Sequence, residues 1–285
     1  MNSSRCHFIG PHVSAAGGAA NAALNAHALE ATGFALFVKN QRQWSAPPLT
    51  PEDARAFAGQ MRACGYTAAQ VLPHAGYLIN LANPDDAAQE RSLASLLNEM
   101  GRCAALGLDK LNLHPGSHLK LMTPQAACER VAAAINVALS QTSGVAIVIE
   151  NTAGSGGMVG SRFEELGIIR AGVDDASRIG FCLDTAHAVA AGYDIRTRDG
   201  FLAMMDAFDT HVGMPFLKGM HLNDSRGDFE SHKDRHETLG DGVLGLEPFK
   251  CIMRDERFKN MPLILETPDP SRWAAEIQLL QSFAE

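Results

Sequence analysis

The sequence predicts an α/β protein, a single (β/α)8 TIM barrel with its active site at the C-terminal ends of the strands. Short apolar runs recur along the chain, and each is followed at once by a side chain that commonly binds metals. Helical segments separate these runs. The runs end at His74, His114, Glu150, Asp184, His221 and Glu266. Parallel strands that alternate with helices bring their carboxyl ends to one face, so we expect these side chains to converge.

The length and composition fit one domain over residues 1–285. The chain has 285 residues and 46% hydrophobic content, and barrels of this class commonly have about 250 residues. No apolar run approaches the roughly 20 residues that a membrane span needs, and the N-terminus lacks the apolar core of a signal peptide. We therefore expect a cytoplasmic protein with no membrane partner. No coiled-coil pattern is visible, which favours a monomer.

Cysteine usage and charge exclude some classes of protein. The six cysteines include no Cys-x-x-Cys pair and mostly lie in apolar patterns, which is typical of small buried residues in a reducing compartment. The net charge of −8 argues against a protein that coats nucleic acid nonspecifically, because such domains are usually basic. A local basic rim is still compatible with this charge.

The pattern predicts eight strand–helix units in order, with a helix located in seven of them. The predicted strands are 8–13, 34–38, 70–73, 110–113, 145–149, 179–183, 217–220 and 262–265. Helices are predicted up to about residue 31, from 51, over 86–106, from 124, and over 198–212, 246–255 and 272–283. Thr50 precedes Pro51 and is a suitable N-cap, and Gly107 ends the third helix. No linker interrupts the pattern, which predicts one barrel.

Two loops stand out. The glycine-rich segment 153–160 fails as a dinucleotide fingerprint because Val159 stands where the third glycine belongs, and it lacks the Gly-Lys-Ser/Thr of a P-loop. We interpret it as a flexible loop. The segment 223–245 is long and polar, and long loops in compact domains are usually functional or disordered.

The strand ends and two adjoining motifs supply nine candidate metal ligands. These are His74, His114, Glu150, Asp184, His187, His221, Asp234, His236 and Glu266. Mixed imidazole and carboxylate ligation suits zinc, manganese or iron better than calcium or magnesium alone. One ion takes about three or four protein ligands, so this set suits three ions if a carboxylate bridges two. A single histidine is more often structural, and the joint pattern carries the prediction.

Longer blocks now make the chain recognisable. It closely resembles the endonuclease IV family of apurinic/apyrimidinic (AP) endonucleases over nearly its whole length. The resemblance is carried by the blocks at residues 12–18, 39–44, 111–117, 149–154, 184–188, 219–224, 234–236 and 262–267. These blocks are long and specific, unlike a lone short motif.

The resemblance implies three metal ions, commonly zinc, with manganese or iron possible at some sites. The first ion would be held by His74, His114 and Glu150. The second would share Glu150 and add Asp184, His221 and Glu266. The third would be held by His187, Asp234 and His236.

The resemblance also implies that Arg42 and Tyr77 enter DNA at a site that has lost its base. An abasic site leaves a gap in the stack that a planar guanidinium and a phenol ring can fill. Family members often carry polar residues where this chain has Ala75 and Gly76, which affects the fine positioning of that loop. Trp44 is more typical of a packing residue.

The implied reaction is hydrolysis of the phosphodiester 5′ to an abasic site in duplex DNA, leaving a 3′-hydroxyl and a 5′-deoxyribose phosphate. Glu150 would bridge the ions that activate water, and Glu266 is expected to help orient the nucleophile. His12 is compatible with either a supporting or a structural role. The partner would be duplex DNA with abasic sites, and a bacterial member would be associated with the nucleoid.

Two other functions remain open. A xylose-isomerase-like sugar isomerase or epimerase shares this kind of barrel, but such sites usually need fewer metals and a lysine or carboxylate free for proton transfer. A non-enzymatic sensor of damaged DNA is the other alternative, although binding alone needs no activated water. Cleavage of a synthetic abasic duplex with and without chelator separates all three.

Overall fold

The computed structural model describes residues 7–284, so Cys6 and most of the segment assessed for a targeting signal lie outside the described residues. The strands are β1 (Phe8–Pro11), β2 (Lys110–Leu113), β3 (Ala146–Glu150), β4 (Ile179–Asp184), β5 (Leu217–His221), β6 (Asp224–Ser225), β7 (His236–Glu237) and β8 (Pro262–Leu265). The helices are α1 (Ala20–Ala28), α2 (Pro51–Ala63), α3 (Asp86–Ala105), α4 (Pro124–Ser140), α5 (Phe163–Gly172), α6 (Thr185–Ala191), α7 (Arg198–His211), α8 (Glu247–Arg254) and α9 (Trp273–Phe283).

Six of the strands form a parallel sheet in the order β1-β8-β5-β4-β3-β2. Two extended segments complete the circle between β2 and β1. Parallel bridges join His74 to Asn112 and to Phe37, and His12 to Ala35. The sheet therefore closes into a barrel of eight parallel strands or extended segments, as the apolar runs predict. The (β/α)8 fold is confirmed. All the carboxyl ends lie on one face.

The interior of the barrel is filled by a small apolar cluster of its own. Its members are Ala35, Leu72, Val148, Cys182 and Ile264, all fully buried. Val148 alternates with Ile147 and Ile149, which pack in the larger cluster between the strands and the helices. This alternation is the period of a strand buried on both faces. The inner cluster forms the floor on which the strand-end side chains sit.

The helix ends follow local signals in the sequence. The backbone N–H of Asp53 donates to Thr50 Oγ1 at 3.1 Å, and the Asp53 carboxylate accepts from the Thr50 N–H in return. This reciprocal pair satisfies N–H groups that the first turn leaves free. Gly107 follows α3 with φ of 72°, a conformation that favours glycine. The predicted cap and stop are both confirmed.

Several predicted boundaries are wrong. The first helix ends at Ala28 rather than near residue 31, and the second and third predicted strands appear as isolated bridges. Helices α5 and α6 follow the glycine-rich loop and β4, where the sequence pattern predicts no separate helix. With only 7 residues, α6 is too short to show a helical period.

The described cysteines are all free, with Cys103, Cys128 and Cys182 buried and Cys64 and Cys251 partly buried. This agrees with their prediction as small packing residues. None of the helices within residues 7–284 is long and apolar enough to cross a membrane.

Candidate metal centre

The nine predicted ligands meet in one network at the carboxyl ends of the strands. Glu150 is at its centre and is fully buried. Its Oε1 lies 3.2 Å from Nδ1 of His187 and of His221 and 3.4 Å from Nε2 of His114. Its Oε2 lies 3.3 Å from Nε2 of His74. One carboxylate thus contacts four imidazoles.

The remaining carboxylates extend the network outward. Glu266 Oε2 lies 3.3 Å from His221 Nδ1. Asp234 lies 3.3 Å from His187 Nε2 and 3.4 Å from His236 Nε2, and His236 Nε2 is 3.5 Å from Asp184 Oδ2. These separations are short enough for neighbouring groups to share an ion.

Four overlapping groups have ligand atoms within 4.8 Å of one another and could hold a metal. They are His74–His114–Glu150, Glu150–Asp184–His221–Glu266, Asp184–His187–His236 and Glu150–Cys182–His221. The first two match the sets that the resemblance implies. The third contains Asp184 where the resemblance implies Asp234, although Asp234 contacts both histidines of that group.

Local structure explains how β4 delivers two of these side chains. Asp184 is the last residue of β4 and the N-cap of α6, where its Oδ1 accepts from the His187 N–H at 2.8 Å. The capping bond fixes the start of the helix. His187, three residues further along in the first turn of α6, therefore lies beside Asp184. Asp234 and His236 come instead from the 223–245 loop, which pairs through the short antiparallel strands β6 and β7.

Backbone carbonyls orient three of the imidazoles. If each Nδ1 carries the proton, His74 donates to Ala75 O at 2.7 Å, His187 to Asn151 O at 3.0 Å and His236 to Glu266 O at 3.2 Å. Such a bond leaves Nε2 free as a metal ligand and fixes the ring. The arrangement is typical of histidines that hold metals.

Three carboxamides that the local sequence patterns do not indicate contact the network, and two of them bond its carboxylates. Asn112 Nδ2 donates to Glu150 Oε2 at 2.6 Å, and Asn223 Nδ2 donates to Asp184 Oδ2 at 2.7 Å. Asn151 Oδ1 accepts from the backbone N–H of Asp184 at 2.6 Å. Asn112 precedes His114 by two residues, and strand alternation turns both to the same face. That spacing is the signal that could have identified it.

Several polar atoms in the network lack a hydrogen-bond partner among residues 7–284. They are Glu150 Oε1, His12 Nε2, His236 Nε2 and both ring nitrogens of His221, all buried. Buried polar atoms usually find partners, and unpaired imidazole and carboxylate atoms that face one another suit a metal. The donor set therefore fits divalent cations of the zinc, manganese or iron type.

Charge within the network shifts the pKa values strongly. Burial alone would raise the pKa of Glu150, but the neighbouring His221 and His114 lower it well below its usual range. Burial alone would lower the pKa of His187, but Asp184, Asp234 and Glu150 raise it well above the usual range. Burial likewise opposes ionisation of Asp234, yet hydrogen bonding to His187 and nearby positive charge lower its pKa to about 2. Without a metal, protons on the imidazoles would balance the carboxylates.

Cys182 is a further metal-type residue beside the network, although its sequence context predicts only a packing residue. It is fully buried next to His221 and Glu150. Burial raises the pKa of its thiol to about 12, although His221 opposes this shift. Its side chain also belongs to the apolar cluster inside the barrel. Packing in the barrel floor accounts for Cys182.

Two cavities open above the network, and Tyr77 lines both. One of about 520 Å³ includes His114, Asp234 and His236 in its lining. The other, of about 970 Å³, extends past His12 toward the 39–49 loop. His12 Nδ1 lies 2.8 Å from Glu266 Oε1, so it supports that carboxylate.

Arg42 and Tyr77 lie on two adjacent loops, and Gln41, next to Arg42, lines the larger cavity. The Tyr77 backbone N–H donates to Gln41 O at 3.1 Å and so joins the loops. Arg42 is exposed, and 59% of Tyr77 is accessible to solvent. An accessible large aromatic side chain at a cavity mouth suits contact with a ligand. Trp44 packs under the guanidinium of Arg91, whose carbon lies 5.0 Å from the ring centre.

Comparisons with known proteins match nearly the whole chain to one family model and to relatives of known name. The model of a family described as a xylose isomerase-like TIM barrel matches residues 24–283. A protein named probable endonuclease 4 from Chlorobium phaeobacteroides is 49% identical over 278 residues, which cover 98% of each chain. The crystal structure of endonuclease IV from Thermus thermophilus superposes with a TM-score of 0.84 at 35% identity, covering 97% of this chain and 98% of that one.

The barrel is also shared with sugar epimerases. A 3-keto-D-glucoside 4-epimerase from E. coli has a TM-score of 0.68 at 13% identity and covers 97% of this chain and 99% of its own. At this identity the likeness shows the fold alone, because one barrel supports many chemistries.

Proposed function

The chain belongs to the endonuclease IV family, and from that membership we propose that it hydrolyses the phosphodiester 5′ to an abasic site in duplex DNA. The products would be a 3′-hydroxyl and a 5′-deoxyribose phosphate. The membership supports endonuclease activity in general. The position of the cut and the number of ions are our proposals.

The observation that carries this proposal is the network around Glu150. Nine imidazole and carboxylate side chains contact one another there, and several buried atoms face inward without a hydrogen-bond partner among residues 7–284. The set suits three zinc ions, with manganese or iron as substitutes at some sites. Divalent cations held there would lower the pKa of water and offset the negative charge of the phosphate.

The residues of the network would divide the work. Glu150 contacts members of the first two proposed ligand sets, so it is suited to bridge two ions and keep them at a fixed separation. Glu266 contacts His221 and His12 and borders both cavities, which suits a group that also orients the attacking water. Asn112 and Asn223 would hold the carboxylates while substrate binds.

Arg42 and Tyr77 would recognise the lesion. Both are accessible, and they lie on loops joined at the cavity mouth. Their planar groups can occupy the gap left by the missing base, where unstacking costs less than at an intact pair. With a net charge of −8, binding would depend on such local contacts. Abasic duplex DNA is the proposed partner, and we propose a cytoplasmic, nucleoid-associated monomer.

The test uses a synthetic duplex with one abasic site and an end label, incubated with the purified protein. We expect one cut 5′ to the lesion and a product that a polymerase extends directly, because its end is a 3′-hydroxyl. Treatment with a chelator should stop the cut, and added zinc should restore it. No cleavage by metal-loaded protein would refute the proposal, and so would cleavage that resists full removal of metal.

The same preparations separate the two alternative functions. A damage sensor would bind the abasic duplex without cutting it. An epimerase would convert sugars and leave the duplex intact. Among the described residues, no lysine lines the smaller cavity above the network, and Lys39 at the larger one is buried against Glu99. Each carboxylate of the network contacts a histidine. Proton transfer from a free lysine or carboxylate is thus poorly supported.

A further inference from the structure

A row of polar side chains on α3 lies beneath the two loops that carry Arg42 and Tyr77. Ser92, Ser95, Glu99 and Arg102 are spaced three or four residues apart, so they share one face of the helix. Ser92 Oγ accepts from the backbone N–H of Asn80 at 3.1 Å. Arg102 Nε donates to a backbone carbonyl at residue 38, at 2.7 Å. The helix therefore contacts the beginnings and ends of these loops through side chains.

Lys39 is held inside the first loop and has lost nearly all contact with water. Its side chain is only 1% exposed. Nζ donates to Trp44 O at 2.9 Å and to Ser95 Oγ at 2.8 Å, and it lies 3.3 Å from Glu99 Oε1. The bond to Trp44 closes the loop around Arg42. The other two contacts fasten that closed loop to α3.

Glu99 reaches the second loop with its other oxygen. Oε2 accepts from the Gly76 N–H at 3.0 Å, immediately before Tyr77. A Cβ added at Gly76 would lie 3.4 Å from Glu99 Oε1 and 3.2 Å from Gln41 O, so both neighbours lie against this glycine. One buried carboxylate thus holds Lys39 with one oxygen and the Tyr77 loop with the other.

The stability of the protein alone does not require the charges of Lys39 and Glu99. Burial raises the pKa of Glu99, and the charge of Lys39 together with the Gly76 N–H offsets part of that rise. Apolar residues of similar size often replace a buried ion pair with no loss of stability. A charged pair nevertheless offers directional bonds to two separate loops, which apolar side chains do not.

We propose that the Lys39–Glu99 pair is a positioning device that fixes the separation of Arg42 and Tyr77, so that both side chains enter an abasic site together. The proposal rests on the proposed function, because it concerns the recognition of the lesion. Neither residue belongs to the nine-residue network, so the pair acts through the loops and not through the chemistry.

The test replaces both charges at once with Lys39→Met/Glu99→Met, which avoids leaving one charge buried and unpaired. We expect the double variant to keep its metal content and its kcat at saturating abasic duplex. KM should rise about tenfold, because misplaced contacts weaken binding of the lesion. Affinity for the abasic duplex should fall toward that for an intact duplex. Unchanged KM and unchanged discrimination in a folded double variant would overturn the proposal.

A double-mutant cycle asks whether the pair acts through the two lesion-facing side chains. In an Arg42→Ala/Tyr77→Ala background, removing the pair should change KM by less than about twofold, since coupled residues are not additive. A full tenfold effect in that background would show that the pair acts elsewhere and would overturn the proposal.

Arg178→Met is the matched control. Arg178 donates to Val145 O and Leu139 O at the opposite end of the barrel, so its loss should lower stability and leave lesion discrimination unchanged. If Arg178→Met loses as much lesion discrimination as the double variant, the effect is general destabilisation and the proposal is overturned.

Two kinds of failure can be distinguished. If the wild-type protein neither binds nor cuts abasic DNA, the proposed function fails. If it does both and the double variant discriminates normally, only the positioning role fails.

Discussion

Asn112 Nδ2 donates a hydrogen bond of 2.6 Å to Glu150 Oε2, and both side chains are fully buried. The bond constrains one oxygen of Glu150, while the other faces His187 and His221. A neutral amide therefore sets the direction of the carboxylate that is best placed to bridge two ions. The geometry of the candidate metal centre therefore depends on a residue that is not itself a proposed ligand.

Replacing Asn112 should weaken the centre without removing a ligand. We expect Asn112→Ala to lower zinc affinity or cleavage by about 10–100-fold, the usual effect of losing a partner that orients a ligand. Competition with a chromophoric chelator measures the affinity, and labelled duplex measures the rate. Asn136→Ala on α4 is the control, because that side chain contacts residue 172, outside the network. Equal effects in the two variants would contradict the orienting role.

Glu150→Gln should retain the fold and lose at least about 100-fold of the cleavage rate, because a neutral amide cannot bridge two cations as a carboxylate does. Metal analysis of the variant should show reduced occupancy. Circular dichroism checks that the barrel persists. Near-normal turnover would exclude a bridging role for Glu150.

Arg42→Ala should weaken binding to abasic duplex by about tenfold, in line with the roughly 1–3 kcal/mol that stacking contacts contribute. Metal content should stay unchanged, because Arg42 lies outside the network. Fluorescence anisotropy with abasic and intact duplexes gives both affinities. Arg55→Ala on α2 removes another exposed arginine and is the control for net charge. Unchanged affinity would show that Arg42 does not enter the lesion.

Asp224 should be critical for the stability of the loop that carries Asp234 and His236. Its carboxylate accepts from four backbone N–H groups, of Ser225 at 2.7 Å, Leu244 at 2.9 Å, Gly240 at 3.0 Å and Gly242 at 3.1 Å. An amide in its place supplies only one accepting oxygen. We expect Asp224→Asn to lower the free energy of unfolding by about 3 kcal/mol, from unsatisfied N–H groups. Urea unfolding measures this, and the exposed Asp228→Asn should be nearly neutral.

Metal affinity should fall as the solution becomes more acidic. Burial opposes protonation of His187 and His221, but nearby negative charge raises the pKa of both well above the usual value. In the metal-free protein these imidazoles hold protons near neutral pH, and a metal must displace them. Zinc affinity should therefore decrease up to about tenfold per pH unit for each proton displaced. Calorimetry in buffers of different ionisation enthalpy counts the protons, and a count of zero would contradict the raised pKa values.

The strand ends were predictable because short, doubly buried strands leave a simple signature. The runs before Glu150 and Asp184 are continuous apolar stretches, and each ends at the polar site. Closure of the barrel was predicted from the number of units, since eight parallel strands with intervening helices and no linker match a (β/α)8 barrel. The two extended segments between β1 and β2 failed as regular strands because only isolated residues pair there.

The supporting residues left no comparable local signal. Asn223 and Asn151 resemble ordinary loop asparagines until the fold brings their amides to Asp184. Lys39 and Glu99 are far apart in the sequence, and only the packing of α3 under the loops brings them together. Such long-range polar contacts depend on tertiary structure, which periodicity and capping rules do not describe.

The short β6–β7 sheet pairs apart from the barrel strands. Asp234 and His236 therefore belong to a peripheral segment. Its length can change without shifting the hydrogen-bond register of any barrel strand. Over evolutionary time, insertions and deletions there could add or remove the outermost candidate ligands while the inner carboxylates kept their positions. Divergence between relatives on this scaffold would then begin at the rim and reach the floor last.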